Sequence, residues 1–202
     1  MVYLFGASGH GLVIQDILQS NGIVADYYVD DAPKTSMHGD IRVLHTDEMH
    51  LEQDDQMIIS IGINSNRKKV AERYQAQYLS SFHPGAIIAA KCRIGVGTVV
   101  MAGAVVNPFT NIGSHCIVNT GACVDHDCQI GDFAHIAPNA TVCGGVSIGE
   151  GSHIGAGAVI IQGIKIGRWC TIGAGAVIIE DVPDGAVMVG NPARLLRIES
   201  LL

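Results

Sequence analysis

The sequence predicts two unlike parts: a small α/β domain with a parallel sheet, then an all-β solenoid. Three observations carry that prediction. Strand-like and helix-like segments alternate in the first 81 residues. From there an apolar residue recurs every six positions. Glycine is concentrated in the same stretch, with 16 of the chain's 25 glycines between residues 88 and 183.

The first part opens on Val2-Tyr3-Leu4-Phe5, a short apolar strand. It runs into Gly6-Ala7-Ser8-Gly9-His10-Gly11 and an amphipathic helix carrying Leu12, Val13, Ile14, Ile17 and Leu18. Residues 23–29 read as a second strand, ending at Asp30-Asp31, and residues 57–61 as a third. A charged helix over about residues 64–77 follows Gly62. Alternation of this kind predicts a small Rossmann-like parallel sheet. The turn lies between a strand and a helix N-terminus, where free N–H groups and the helix dipole favour phosphate. An acidic pair about 20 residues further on is placed to accept hydrogen bonds from a nucleoside. The glycine spacing is G-x-x-G-x-G rather than G-x-G-x-x-G, and no second mononucleotide half follows, so a dehydrogenase is not expected.

The second part is defined by its period. Stepping by six from Ile88 to Ile178 visits sixteen positions, all Ile or Val, and Phe82 extends the series backwards. Four residues after each stands a small or β-branched residue, such as Ala104, Cys116, Ala122, Cys128 and Ala134, with Ile164 the one bulky departure. A period of six fits neither a helix nor a two-sided strand. It fits coils of three short strands, with the apolar residue filling the interior, the small one fitting the corner and glycine making the turn. The resulting division is 1–81 for the α/β domain, 82–185 for the solenoid and 186–202 for a C-terminal tail.

Composition removes other classes. Only 15% of residues are charged and 48% are hydrophobic, which argues against disorder. Glycine lacks a period of three, which excludes collagen. The longest uncharged stretch, residues 94–124, is broken by Gly, Asn, Ser, Thr, His and Pro, so no membrane insertion is expected. The first five residues carry no basic segment and do not read as a signal peptide. A net charge of −7 offers no footprint for nucleic acid. Six cysteines without C-x-x-C spacing read as reduced thiols in a cytoplasmic protein.

Among nine histidines, His38, His45 and His50 fall in a polar irregular region and are expected to face solvent. His83 opens the solenoid, and His115 reads as an exposed turn residue. His126 stands between Asp125 and Asp127, where a carboxylate can orient an imidazole and stabilise its protonated form, as a general base requires. His135 and His153 are 18 apart and should stack on one face. No histidine pair has the tight spacing of the three zinc-bound histidines in γ-class carbonic anhydrases, so no metal is expected. Cys92, Cys116, Cys128 and Cys170 occupy the small corner position, which packing explains. Cys143 precedes Gly144-Gly145, whose N–H groups could serve an oxyanion; an acyl-cysteine route is the lesser reading.

The six-residue repeat resembles the hexapeptide-repeat, left-handed β-helix acyltransferases over roughly residues 82–185. The glycine turn with Asp30-Asp31, joined to these repeats and to Val124-Asp125-His126-Asp127-Cys128, extends the match to the whole chain. It is similar to the bacterial nucleotide-sugar N-acetyltransferases that acetylate a 4-amino sugar on UDP, as in bacillosamine biosynthesis. It is similar too to the sialic acid O-acetyltransferases of the same architecture, which supply the alternative of a hydroxyl acceptor. The closing Val189-Gly190-Asn191-Pro192-Ala193-Arg194 resembles the end motif of many hexapeptide acetyltransferases.

The resemblance implies an acetyl-CoA co-substrate, no required metal, and a homotrimer with its sites between neighbouring solenoids. It implies His126 as general base with Asp127 as its acidic partner, where the family often has Glu. His135 would lie near the thioester, and the Gly144 N–H would face its carbonyl. Ala156, Ala174, Gly190 and Pro192 complete the acetyl-CoA contacts. Gly9, His10, Gly11, Asp30, Asp31 and Asn119 would bind the UDP-linked amino sugar.

Overall fold

A computed structural model describes residues 1–200. The α/β part contains β1 (Val2–Phe5), α1 (Gly9–Ser20), β2 (Tyr27–Asp30), β3 (Met37–His38), β4 (Ile41–His45), β5 (Gln56–Ile59), α2 (Asn64–Arg73) and β6 (Gln77–Tyr78). They form a sheet in the order β3-β4-β2-β1-β5-β6, parallel apart from the β3–β4 pair. With β2 on one side of β1 and β5 on the other, the chain reverses direction across the sheet at β1. Ligands of open α/β sheets sit beyond the strand ends at such a point.

The alternation of the first 81 residues is thus observed, with differences at the edges. The second strand begins at Tyr27 rather than Ile23, because Ile23 to Asp26 form the connection that carries Ala25 into the core. Helix α2 stops at Arg73, where Tyr74 turns extended and its ring packs on Phe5. Strands β3 and β6, two residues each, are too short to stand out in the sequence, and β4 (Ile41–His45) is missed within a segment that reads as polar and irregular.

From Ser81 onward two-residue strands repeat every six residues and pair in parallel with the residue 18 further on, as Val99 with Ile117 and Val100 with Val118. Three strands therefore make one coil, and the coils stack into a left-handed β-helix with three flat faces. The first face has eight strands, including Val99–Val100, His135–Ile136 and His153–Ile154; the second has six and the third five. The interior holds the periodic Ile and Val side chains with the small corner residues, from Val100 to Val182. Thr98, Thr110 and Ser152 stand at corners with their side chains completely buried. Each hydroxyl donates to a carbonyl of the next coil and accepts a backbone N–H there, so none is left unpaired. Phe82 begins the series, but no coil lies beneath it and it is exposed.

Residues 186–198, within the segment read as a tail, form a hairpin. Ala186–Gly190 lies on Thr171–Ile172 and turns into Ala193–Ile198, closing the first face. Residues 201–202 of that segment lie outside the described residues.

The α/β domain sits on the first face. Ile14, Ile17 and Leu18 of α1 share one core with Val99, Met101 and Ile117 of the solenoid. Asn21 donates to the Phe82 carbonyl, and Lys68 of α2 pairs with Glu150.

Candidate active site

The turn after the second-face strand Cys123–Val124 builds a compact group of polar residues. Asp127 takes a positive φ of 60°, the left-handed conformation that this turn position requires. That conformation brings its carboxylate 2.8 Å from Nδ1 of His126. Nδ1–H therefore donates to Asp127, and the lone pair falls on Nε2. Asp125 accepts the His126 backbone N–H and the Asn107 side-chain amide, each at 2.8 Å. Its other oxygen is 3.9 Å from Nε2. The hydrogen bond to Asp127, then the charge of Asp125, raise the His126 pKa above the ordinary value. The ring is exposed and ready for a proton.

Gly144 sits one coil above. A Cβ there would lie 2.7 Å from Cε1 and Nε2 of His126, so glycine is what lets the imidazole lie over this backbone. The structure thus brings His126, Asp127 and Gly144 together on the corner between the second and third faces.

Of the second predicted group, Asp30 and Asp31 line a cleft of about 610 Å³ at the sheet's reversal point, together with Gly6, Ser8, Ile61, Gly62, Ile63, Asn66 and Lys69 among others. Asp30 accepts the Ala7 and Ala32 N–H groups, which fastens the glycine turn. Asp31 pairs with Arg73 at 2.6 Å. Gly9 begins α1 with open space around it, whereas a Cβ on Gly11 would lie 2.8 Å from the Gly6 carbonyl and the Tyr28 ring. Gly9 faces open space, and Gly11 lets the helix approach the sheet.

A third group lies between the domains. His10 and His135 rings are 6.4 Å apart, and His135 and His153 are 4.8 Å apart edge-on. The expected stack of the last two is observed. The Asn119 amide nitrogen is 3.0 Å from Nε2 of His135, while its oxygen accepts the Thr120 N–H. Nε2 is thereby the acceptor, and the proton resides on the buried Nδ1. Burial pushes His10 down to about 4 and His135 to about 3. Both are neutral, and His135 lies on the first face, across the solenoid from His126. Ala156 and Ala174 are exposed on the corner between the first and second faces. Gly190 and Pro192 lie near the same corner, at the end of the strand laid on Thr171–Ile172. Within one chain the predicted acetyl-CoA residues therefore fall into separate columns.

One further histidine differs from expectation. His115 is buried, stacked on Phe133 at 5.2 Å with Tyr78 edge-on, because its turn packs under the α/β domain. His38 bonds the Ser8 carbonyl at 2.9 Å, and His45 caps the short helix Thr46–Glu48. Burial pushes the Cys116 thiol up to about 12 and raises Cys128 and Cys170 as well, so these corner cysteines are inert. Sequence reasoning missed Asn107, although it stands one coil (18 residues) before Asp125. It missed Asn66 and Lys69, which look like ordinary solvated positions of a charged helix, and Arg67. Among the described residues no group of three or more His, Cys, Asp or Glu could hold a metal ion, and no helix is long and apolar enough to cross a membrane.

A left-handed hexapeptide solenoid with an α/β domain on one face defines a hexapeptide-repeat transferase. Residues 1–74 match the PglD N-terminal domain, and residues 127–162 and 145–180 match the bacterial transferase hexapeptide of six repeats. The acetyltransferase domain of PglB from Neisseria gonorrhoeae FA1090 is 37% identical, with a TM-score of 0.90 over 96% of this chain and 98% of that one. PerB from Caulobacter crescentus, solved in complex with CoA and GDP-perosamine, is 34% identical, with a TM-score of 0.91 over 96% of each chain. The UDP-N-acetylbacillosamine N-acetyltransferase of Bacillus subtilis (strain 168) is 39% identical over 110 residues, 50% of this chain and 51% of that protein. The alignment thus spans about half of that curated relative's length. The chain belongs to the family of hexapeptide-repeat acetyltransferases with a PglD-type N-terminal domain.

Proposed function

We propose that the chain transfers acetyl from acetyl-CoA to the 4-amino group of a UDP-linked amino-deoxy sugar, in bacterial glycan biosynthesis in the cytoplasm. The observation that carries this reading is the exposed His126–Asp127 pair lying directly over Gly144. The relatives support it: one is named for UDP-N-acetylbacillosamine, and others are solved with acetyl coenzyme A or with CoA and GDP-perosamine.

In this mechanism Asp127 holds Nδ1–H, and Nε2 takes the proton from the sugar amine as its nitrogen attacks the thioester carbonyl. The Gly144 N–H stabilises the negative oxygen. The C–S bond then breaks, and the imidazolium returns its proton to the CoA sulfur. Both substrates are held together, so positioning supplies much of the acceleration and no acyl-enzyme is needed. The cleft of Asp30 and Asp31 holds the nucleotide, with its phosphates at the start of α1. Ala156, Ala174, Gly190 and Pro192 contact acetyl-CoA.

The cleft belongs to the domain on the first face, and His126 stands on the opposite corner. A sugar held by one chain is therefore acetylated by His126 of a neighbour, which supports a homotrimer with shared sites. His10, Asn119 and His135 lie between the two domains, beside the path from the cleft, where they line the sugar and thioester side of the site. His126→Ala is expected to lower kcat by about 10²–10⁴-fold with the assembly intact. Steady-state turnover and sedimentation of that variant test the reading, and near-normal turnover overturns it.

A further inference from the structure

Among the described residues, the largest fully buried side chain is a charged one, Arg67. It stands on the second turn of α2 and faces the solenoid. Its guanidinium has five N–H donors, and the structure supplies five acceptors. Nε donates to the His115 carbonyl at 2.7 Å, and Nη1 to the Ile61 and Gly62 carbonyls at 2.9 and 3.3 Å. Nη2 donates to the Phe133 carbonyl and to Oδ1 of Asn64, both at 2.8 Å. The Asn64 amide in turn donates to the Gly151 carbonyl at 2.9 Å.

Residues 115, 133 and 151 are 18 apart, so they occupy the same place in three successive coils. All three have positive φ, at 53°, 58° and 68°. The coil-to-coil hydrogen bonds at this corner use the preceding carbonyls, of Ser114, Asp132 and Glu150. The three carbonyls are thus a column open to side chains, and Arg67 with Asn64 reads it. On the other side, Ile61 and Gly62 belong to the β5–α2 loop, which forms one wall of the cleft that holds Asp30 and Asp31.

We propose that Arg67 is a positioning residue, which bolts the cleft's β5–α2 wall to the solenoid coils and so fixes the direction in which the sugar leaves the cleft. The inference rests on the reading of that cleft as the nucleotide-sugar site. Two arguments favour orientation over mere stability. Apolar packing already joins the domains through Ile14, Ile17, Val99 and Ile117. A buried charge is a costly way to add stability, whereas a planar fork with every donor used fixes an angle. Burial lowers the Arg67 pKa only to about 10, so the guanidinium is charged at neutral pH. Its charge also helps to keep His10, His115 and His135 neutral.

Arg67→Lys keeps a charge but offers three donors from one nitrogen. With the nucleotide sugar and acetyl-CoA, it should lower kcat about tenfold or more, since a displacement near 1 Å is that costly. The KM for acetyl-CoA should stay within about twofold, and the calorimetric Kd for UDP alone within about threefold, because the cleft keeps its own groups. Asn64→Ala, which keeps the other four bonds of the fork but removes one Nη2 acceptor and the link to Gly151, should show the same pattern more weakly. It decides the matter if Arg67→Lys does not fold. Wild-type kcat in the folded variant overturns the proposal and leaves the functional reading standing. A parallel loss of kcat, UDP affinity and thermal stability also overturns it, as a plain structural role. If the wild-type chain binds none of UDP, GDP and dTDP, the reading of the cleft fails, and this proposal with it.

Discussion

At the residue scale, the reading turns on the proton of His126. A raised pKa means that the base is protonated, and idle, to a higher pH than a free histidine would be. The rate should rise with pH through a value above about 6.5. Asp127→Asn removes the largest cause of that shift, so the acid limb of kcat against pH should move to lower pH while the maximal rate falls. An unmoved limb would mean that Asp127 does not set the titration. Gly144→Ala places a methyl 2.7 Å from the ring. It should displace His126 and cost about 10²-fold in kcat, with circular dichroism unchanged. His126 was legible because two carboxylates bracket it in a charge-poor stretch. Arg67 was not, because it sits among charged neighbours in a helix that reads as solvated, and only the docking of α2 on the solenoid shows that it faces inward.

At the element scale, the solenoid was legible almost residue by residue, since a six-residue period leaves one structure that turns the periodic Ile and Val inward. The closing hairpin was not: Leu195, Leu196 and Ile198 remain exposed, so no alternation of buried and exposed positions marks the strand. The turns make a sharp comparison. A Cβ on Gly155 would lie 2.5 Å from the Ile172 carbonyl oxygen, which is rigid backbone. Gly157 has a φ of +66° with nothing near its Cα. Gly157→Ala should therefore cost about 1–2 kcal/mol from the left-handed backbone alone. Gly155→Ala should cost more, because coils must separate to admit the methyl. Chemical denaturation checks the order.

At the scale of the whole molecule, neutral histidines are buried where the two domains meet. His10, His115 and His135 titrate near 4, 4 and 3 when folded, below the unfolded value near 6.5. The unfolded chain then binds more protons on acidification. Stability is complete above about pH 6.5 and falls as pH drops towards 4, by up to roughly 1.4 kcal/mol per unit for each group. Urea midpoints between pH 7 and 4.5 measure this, and a flat profile would count against a closed domain contact. The same packing separates the cleft of Asp30 and Asp31 from His126 of its own chain. Mixed assemblies of His126→Ala with Ser8→Trp, which places an indole at the cleft wall, should recover part of the activity that each lacks alone.

Every role proposed for the site depends on acetyl transfer to a nucleotide-linked amine by His126. Its most direct measurement is CoA release from acetyl-CoA in the presence of UDP-, GDP- and dTDP-4-amino sugars, for the wild-type chain and His126→Ala side by side. Release should depend on the UDP sugar and fall at least about 10²-fold in the variant. Release that needs no sugar, or that the variant retains in full, would contradict that transfer.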